Sequence, residues 1–444
     1  MQYDERYTPY IEMTGLLPFI QLVSRSTPNL NVAAVTTLID RWRPKTHSFH
    51  LRTGEMTVTL QDVSMITALP IEGKPLCMST DSEGWRQQME ALIGMSPQET
   101  EVEDGGKKDR VPVGAPFTWI AANFAHCPED ADEVIQRYAR VYMWYVISRT
   151  IFADGTGKNA PWMWLKALTV FDNKFSWGSA ALAYLYRQLD DACCRTTKDG
   201  GVGGCMLLLL VEWQPYGVGS NFGDAHTFEL NPLCVEEKHL WLMCCPLICN
   251  WAVEFHLPHR VMHQFGFFQP HPPEWVDTDT QLHRLDRRRQ RKIKDWHKHH
   301  KSYVIMFEQS VHAASSIQRT QYRQHCPLAF NNYLRWFQES TRVEICPPAY
   351  EEDILEEPTE YDALAQGDYN KLIREGYQTS FAPVLNFVRK EVKKQADESE
   401  DILDKTPGGK KGESALRLFI KVLCHYYYFA HECNIRYLIY VIYI

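Results

Sequence analysis

A long amphipathic segment between residues 130 and 152 places the strongest constraint on the fold. Its apolar side chains recur at helical spacing and form one broad face. The side chains on this face are Val134, Ile135, Tyr138, Val141, Tyr142 and Tyr145. So wide a face needs other elements to cover it, and aromatic residues, 12% of the chain, are large enough to fill the spaces between helices. The segment therefore predicts a long helix inside a mainly α-helical domain.

Other segments add shorter helices and a small β-hairpin. Apolar periodicity predicts helices within residues 10–40, 161–171 and 179–192. Alternating side chains on either side of a Thr-Gly turn predict a hairpin near residues 48 to 58. Directly after it, a threonine and an aspartate at capping-box spacing, in residues 59–62, predict the start of another helix. The expected fold class is mainly α, with a large helical domain, a small β-hairpin and then a charged, partly disordered segment.

Composition excludes several classes of protein. Hydrophobic residues make up 45% and charged residues 23% of the chain, so disorder along its whole length is excluded. The formal net charge is −8, so contact with nucleic acid would need a local basic patch. The chain has 13 cysteines, no signal peptide at its start and no uncharged apolar stretch of membrane-spanning length. These features predict an intracellular protein with reduced thiols and no membrane partner.

The sequence divides into three predicted parts. Residues 1–345 are the predicted helical domain, residues 346–414 a charged, partly disordered linker, and residues 415–444 an apolar tail. The last residues, 437–444, are uncharged, lack proline and are almost wholly β-branched or aromatic, which is typical of an aggregation-prone strand. We interpret the tail as an artefact of the gene model, with a role at a membrane surface as the weaker alternative.

A basic run is the most informative functional feature. Its residues are Arg287, Arg288, Arg289, Arg291, Lys292 and Lys294. Like charges at this density repel one another unless a partner neutralises them. The run therefore fits a nuclear localisation signal or a patch that contacts nucleic-acid phosphates. The alternative is a solvated helix face, and Trp296 beside it is expected either to stack on a base or to turn into the core.

Patterns for common catalytic sites are incomplete. Residues 154–159 lack the first glycine and the final serine or threonine of a Walker loop. The sequence around Ser179 lacks the two glycines of a nucleophile elbow, so Ser176 or Ser179 is expected to cap the next helix. Arg187 and Asp190, three residues apart on that helix, are expected to form a surface pair. No cofactor site is predicted.

A group of cysteines and histidines raises the question of zinc. The group consists of Cys244, Cys245, Cys249, His256, His259 and His263. Structural zinc sites usually show tight cysteine pairs with a matching pair further along, and here only the 245–249 spacing approaches one pair. Apolar neighbours favour a place in the core, so no metal site is predicted.

Three sequence blocks, taken in order, resemble the plant mobile domain, also called the aminotransferase-like plant mobile domain. The first block contains Trp42, Arg43, Pro44, His47, Phe49, Gly54, Glu55, Met56 and Asp62. The second contains Trp177, Gly178 and Arg187, and the third contains Arg260, Gln264 and Gly266. The resemblance covers residues 10 to 342 and is specific because all three blocks occur together. The chain departs from the family in a shortened region near residues 206–213 and in its tail.

The resemblance implies a plant-specific, mostly helical domain that is linked to transposable elements and occurs in MAIN-like proteins. Some members are nuclear and resemble factors for transposon silencing, genome integrity and meristem maintenance. The family has no established catalytic residues, so none is carried over to this chain.

The expected function is that of a non-enzymatic nuclear factor of this type. Protein partners are expected, and nucleic acid is a second class of partner. The alternative is a transposon-derived enzyme or an inactive remnant of one. That alternative requires acidic or histidine side chains, such as His50, Glu55 and Asp62, to converge in one pocket.

Overall fold

The computed structural model describes residues 1–25, 32–98, 113–128, 130–154, 157–194, 202–209, 236–273, 282, 293–314 and 322–341. The chain divides into two units, Met1–Leu30 with Leu38–Ile345, and Asn31–Thr37 with Cys346–Ile444. Of the second unit only residues 32–37 are described. The predicted linker and tail therefore lie outside the described residues, and the predicted domain boundaries stay predictions.

The fold is mainly α-helical, as the sequence predicted. The α-helices are α1 (Thr8–Thr14), α2 (Leu17–Arg25), α3 (Val32–Arg41), α4 (Leu60–Thr67), α5 (Trp85–Ile93), α6 (Phe117–Asn123), α7 (Asp132–Arg149), α8 (Trp162–Ala167), α9 (Trp177–Cys193), α10 (Trp296–His299), α11 (Lys301–Ala314) and α12 (Pro327–Ser340). Short 3-10 helices cover Glu5–Tyr7, Met206–Leu209, Lys238–Leu240 and Pro258–Phe265. None of the helices in the described ranges is both long and apolar enough to cross a bilayer.

Short antiparallel strands connect the helices. They are β1 (Trp42–Arg43), β2 (Ser48–Leu51), β3 (Gly54–Met56), β4 (Gly114–Pro116), β5 (Asn159–Pro161), β6 (Cys245–Cys249) and β7 (Ala252–His256). The predicted hairpin is β2 and β3, in which His50 lies opposite Glu55. Strand β1 was not predicted; it pairs with β2 to make a three-stranded sheet. The other strands pair as β4 with β5 and β6 with β7.

Helix α4 begins with the predicted capping box. The Thr59 side chain accepts a hydrogen bond from the Asp62 backbone N–H, and the Asp62 carboxylate accepts one from the Thr59 backbone N–H. These bonds satisfy N–H groups that have no partner inside the helix. The helix ends at Thr67, because Ala68 adopts a left-handed conformation with φ 50°.

Helix α9 forms the centre of the core, where it packs against β6, β7 and α4. Gly178 permits its close approach to the chain after α4, because a Cβ atom there would lie 2.7 Å from the Cγ2 atom of Ile71. Ser176 occupies the predicted N-cap position of α9, but its side chain makes no capping hydrogen bond. The hydroxyls of Ser176 and Ser179 donate instead to the Ile71 carbonyl, at 2.6 and 3.4 Å. That carbonyl is buried with them and needs donors.

Aromatic side chains fill the space between α7, α8 and α9. The rings of Phe152 and Trp164 are stacked with centroids 4.0 Å apart, and Tyr184 meets Phe152 edge-on at 5.5 Å. Helix α8 ends at Ala167, earlier than predicted. The carbonyl of the next residue, Leu168, accepts a hydrogen bond from the Arg140 guanidinium at 3.0 Å.

Candidate functional site

Five buried side chains meet between the β1–β2 turn, α9 and β7. We call Trp42, His47, Arg187, Asp190 and Glu254 the buried charge cluster. His47 Nε2 lies 3.0 Å from Glu254 Oε2 and 3.7 Å from Asp190 Oδ2. Arg187 Nε donates to Glu254 Oε1 at 2.5 Å, and Trp42 Nε1 donates to Asp190 Oδ1 at 2.6 Å. Two carboxylates, one guanidinium and one imidazole therefore share a site almost closed to solvent.

Local structure explains how these groups converge. His47 lies in the tight turn between β1 and β2, in a left-handed conformation with φ 47°, which is uncommon for a residue other than glycine. Arg187 and Asp190 are three residues apart on α9 and so share one face of that helix. Glu254 occupies the middle of β7, opposite Leu247 of β6. Because α9 packs on β6 and β7, this helix face meets Glu254.

The electrostatics of the cluster favour positive charge on His47. Burial alone would lower the pKa of His47, but the carboxylates of Asp190 and Glu254 outweigh burial and raise that pKa to about 10. Burial likewise opposes the charge of Arg187, and the charge of Glu254 outweighs it, so the pKa of Arg187 is raised. Two negative charges then face the positive charges of Arg187 and His47, which balances the cluster.

The prediction that Arg187 and Asp190 form a surface pair is wrong. Their exposed fractions are 4% and 6%, because β7 covers the helix face on which they lie. Arg187 donates to Glu254, and Asp190 accepts from Trp42. The spacing placed the two side chains on one face but held no information about what covers that face.

A second buried ion pair joins the β-hairpin to the segment Pro258–Phe265. Arg260 binds the carboxylate of Glu55 through two hydrogen bonds, Nε to Oε2 at 2.7 Å and Nη2 to Oε1 at 2.6 Å. Ser48 Oγ donates to the same carboxylate at 3.0 Å. The Tyr333 hydroxyl of α12 accepts a hydrogen bond from the Glu55 backbone N–H at 3.0 Å. We call Glu55 and Arg260 the bidentate pair.

Gln264 continues the connection between the hairpin and the segment Pro258–Phe265. Its side-chain amide accepts from the Thr57 backbone N–H at 2.8 Å and donates to the Thr57 carbonyl at 3.0 Å. The side chain thus replaces a neighbouring strand at the point where β3 has ended. The Thr57 hydroxyl donates to the His47 carbonyl at 2.5 Å, so this contact also supports the turn that holds His47.

The structure brings the three motif blocks together. The first block forms β1, β2, β3 and the start of α4, and it includes Trp42, Arg43, Pro44, His47, Phe49, Gly54, Glu55, Met56 and Asp62. The second block starts α9 with Trp177 and Gly178 and includes Arg187, while the third places Arg260, Gln264 and Gly266 in or directly after Pro258–Phe265. His47 of the first block and Arg187 of the second both contact Glu254, and Glu55 with Arg260 joins the first and third blocks directly. Functional roles for these residues stay predictions.

The side chains considered for an enzyme site have separate partners. Glu55 binds Arg260, Asp62 belongs to the capping box, and His50 lies 3.3 Å from the Thr46 hydroxyl. Among the residues that the structure describes, the group of possible metal ligands with atoms within 4.8 Å of one another consists of His47, Asp190 and Glu254. His50, Glu55 and Asp62 do not form such a group.

The histidines considered for zinc have partners within the protein. Nδ1 of His256 donates to the Met243 carbonyl at 2.6 Å, and its Nε2 accepts from the first backbone N–H of α4, that of Leu60, at 3.3 Å. His263 Nδ1 lies 3.0 Å from the Gln269 side-chain oxygen. Burial lowers the pKa of both histidines to about 4, so both are neutral.

Most of the basic run, Arg287 to Lys292, lies outside the described residues. Its last member, Lys294, is exposed and forms ion pairs with Asp81 at 3.0 Å and Glu83 at 3.3 Å. Trp296 is fully buried and donates to the Thr80 hydroxyl at 2.8 Å. Of the two alternatives for Trp296, the core position is therefore correct.

Glu254 and Tyr333 are the residues that the sequence-based analysis missed. Glu254 did carry a signal, because a single acidic residue between buried apolar neighbours in a strand needs a buried partner. No sequence signal pointed to Tyr333, because its hydroxyl reaches Glu55 only when α12 packs against the β-hairpin.

Comparison with known proteins gives several relatives from Arabidopsis thaliana. Protein MAIN-LIKE 2 is 35% identical over 205 residues, which are 46% of this chain and 28% of that protein. Protein MAIN-LIKE 1 is 28% identical over 311 residues, 58% of each chain. A protein named Serine/threonine-protein phosphatase 7 long form homolog is 29% identical over 381 residues, 72% of this chain and 27% of that protein.

The matched regions therefore span between 27% and 58% of these relatives' own lengths. No solved structure matches the chain. The plant mobile domain family matches residues 18–211 and 209–338, which together are well over half of the 444 residues and include all three motif blocks. The chain belongs to the plant mobile domain family.

Proposed function

We propose that this chain is a non-enzymatic nuclear factor that acts in meristem maintenance, transposon silencing or genome integrity. It does so by presenting a rigid helical surface to protein partners and the basic run to nucleic acid. One observation carries the proposal, namely that the polar side chains of the motif blocks bind one another inside the core. Glu55 and His47 are each 1%, Arg187 is 4% and Arg260 is 8% exposed. A substrate has no surface to approach on such groups, whereas a scaffold needs them to hold its elements in place.

The names of the relatives agree with this proposal in part. MAIN-LIKE 2 and a protein named MAINTENANCE OF MERISTEMS, which is 34% identical over 185 residues, support the link to meristem maintenance. The relative with a phosphatase name is matched over 27% of its length, so that name alone does not give this chain a catalytic activity.

Binding of the full chain to labelled DNA and RNA over a salt series tests the nucleic-acid part. The variant changes Arg287, Arg288, Arg289 and Arg291 to Ala. The matched control changes four exposed lysines elsewhere, Lys45, Lys158, Lys238 and Lys301, to Ala and so removes the same charge. We expect wild-type affinity to fall steeply with salt, and the slope to shrink in the variant but not in the control. Equal slopes in both, or no binding at low salt, would remove direct nucleic-acid recognition.

Localisation is the second test. Fluorescent fusions of the same three proteins are expected to accumulate in plant nuclei for wild type and control, and to spread through the cell for the variant. A wild-type protein that stays outside the nucleus would overturn the nuclear assignment. Turnover of a phosphoester by the purified chain, abolished by His47→Asn, would replace the proposal with the enzyme alternative.

A further inference from the structure

Three potential ligand atoms point to one place in the buried charge cluster. They are Nε2 of His47, Oδ2 of Asp190 and Oε2 of Glu254. The nitrogen lies 3.0 and 3.7 Å from these two oxygens, and one ligand atom from each of the three side chains lies within 4.8 Å of the other two. Ligands bound tetrahedrally at about 2.1 Å from Zn²⁺ are about 3.4 Å apart. We propose that His47, Asp190 and Glu254 bind a divalent transition-metal ion, with Zn²⁺ as the expected ion.

Each ligand is held from its far side by another group. His47 Nδ1 lies 3.1 Å from the Phe255 carbonyl, Trp42 donates to the outer oxygen of Asp190, and Arg187 donates to the outer oxygen of Glu254. Metal-binding histidines and carboxylates in proteins are usually oriented by such outer partners. The cluster therefore has both the ligands of a metal site and the contacts that aim them.

The hydrogen bond to Phe255 also decides which nitrogen of His47 faces the carboxylates. A carbonyl only accepts, so Nδ1 carries a proton and Nε2 is left to face two negatively charged groups. A cation at this position, either a second ring proton or a metal ion, would be stabilised by both carboxylates. A proton on Nε2 reaches Glu254 at 3.0 Å, but 3.7 Å to Asp190 exceeds a hydrogen bond. A metal ion between the three atoms binds all of them.

The donor set determines the class of ion. One imidazole and two carboxylates suit Zn²⁺ better than Ca²⁺ or Mg²⁺, which prefer oxygen ligands alone. Three side chains leave a fourth position for water or hydroxide. The ligands come from the β1–β2 turn, α9 and β7, so the ion would hold together elements that are distant in sequence. Because the three ligands are almost closed to solvent, the expected role of the ion is structural.

Metal content of the purified full chain tests the proposal. After treatment with a chelator, incubation with Zn²⁺ and removal of free ion, we expect about one Zn²⁺ per chain and a higher melting temperature than in the metal-free protein. Asp190→Asn and Glu254→Gln are expected to lose both effects. Glu55→Gln is the matched control, because Glu55 is an equally buried carboxylate outside the site. Folding of every variant is checked by circular dichroism.

Cobalt substitution of the wild-type chain gives a second measurement that needs no variant. The chain has 13 cysteines, and Co²⁺ bound to thiolate shows a strong charge-transfer band, whereas nitrogen and oxygen ligands give only the weaker d–d bands. Stoichiometric Co²⁺ with d–d bands alone supports the site. A thiolate band, metal retained by folded Asp190→Asn, or no bound metal in the folded wild type would overturn it and assign the central charge to the His47 proton.

Discussion

The two buried charge sites of this protein neutralise their carboxylates in different ways. In the bidentate pair, one guanidinium faces one carboxylate through two hydrogen bonds, so Arg260 and Glu55 neutralise each other. In the buried charge cluster, Arg187 donates to Glu254 and to the Leu282 carbonyl, and the imidazole of His47 lies against Glu254 and Asp190. The first site is complete as an ion pair, whereas the second requires a further cation at His47.

This difference separates a purely structural contact from a site that can bind something. Buried ion pairs add little net stability compared with apolar packing, but removing one partner is costly because the other charge is left in the core. In the bidentate pair, each charge has the other as its ion-pair partner. The cluster holds two carboxylates, Asp190 and Glu254, beside Arg187 and His47, so the members that remain can compensate in part for one that is lost.

The largest effect is expected from breaking the bidentate pair. Glu55→Ala leaves the Arg260 guanidinium buried without its carboxylate, and we expect a loss of about 3–5 kcal/mol in the free energy of unfolding. Urea denaturation measures it. The double variant Glu55→Ala with Arg260→Leu is the control and is expected to lose less than the single variant. A double variant that is less stable than the single one would contradict the charge-burial explanation.

The next largest loss of stability is expected when the pH is lowered. Burial lowers the pKa of His256, His263 and His300 to about 4, against 6.5 in the unfolded chain. Protons therefore bind the unfolded state first, and the stability present above pH 6.5 is expected to be lost as the pH falls towards 4. Asp62, whose pKa burial raises to about 6, and Glu237, whose pKa burial also raises, act in the opposite sense and reduce the size of this loss.

His47 makes the stability of the protein depend on pH at the alkaline end of the scale. Its pKa is raised to about 10, so its contribution is complete below pH 6.5 and is lost as the pH rises through 10. The urea midpoint of the metal-free chain is therefore expected to fall as the pH drops below 6.5 and also as the pH rises towards 10. Midpoints that do not change below pH 6.5 would show that the three neutral histidines are accessible to protons in the folded state.

A smaller loss is expected from Asp190→Asn in the metal-free protein. Glu254 still faces both Arg187 and His47, and the asparagine oxygen can accept from Trp42. We expect a loss of about 1–3 kcal/mol, below that of Glu55→Ala. Both variants are compared by urea denaturation in chelator. A larger loss for Asp190→Asn would mean that the cluster does not compensate internally.

The smallest effect is expected from an exposed ion pair. Lys294 binds Asp81 and Glu83 at the surface, where solvent screens the charges. Lys294→Ala is therefore expected to leave the unfolding midpoint unchanged within error. A clear fall in the midpoint would show that this contact anchors the segment before α10, beyond its ionic contribution.

The sequence by itself determined the elements that depend on near neighbours. The capping box of α4 follows from Thr59 and Asp62, and the long helix α7 follows from the spacing of its apolar side chains. The β-hairpin follows from alternation around a turn. These features were predictable because their interactions join residues a few positions apart.

Only the tertiary structure decided where the charges lie. Helical spacing put Arg187 and Asp190 on one face, yet it placed that face at the surface, because spacing cannot show which strand covers a helix. His47, Asp190 and Glu254 are far apart in the chain and meet only when α9 packs on β7 behind the β1–β2 turn. The physical reason is that burial and charge pairing depend on contacts between distant segments, which local sequence patterns do not encode.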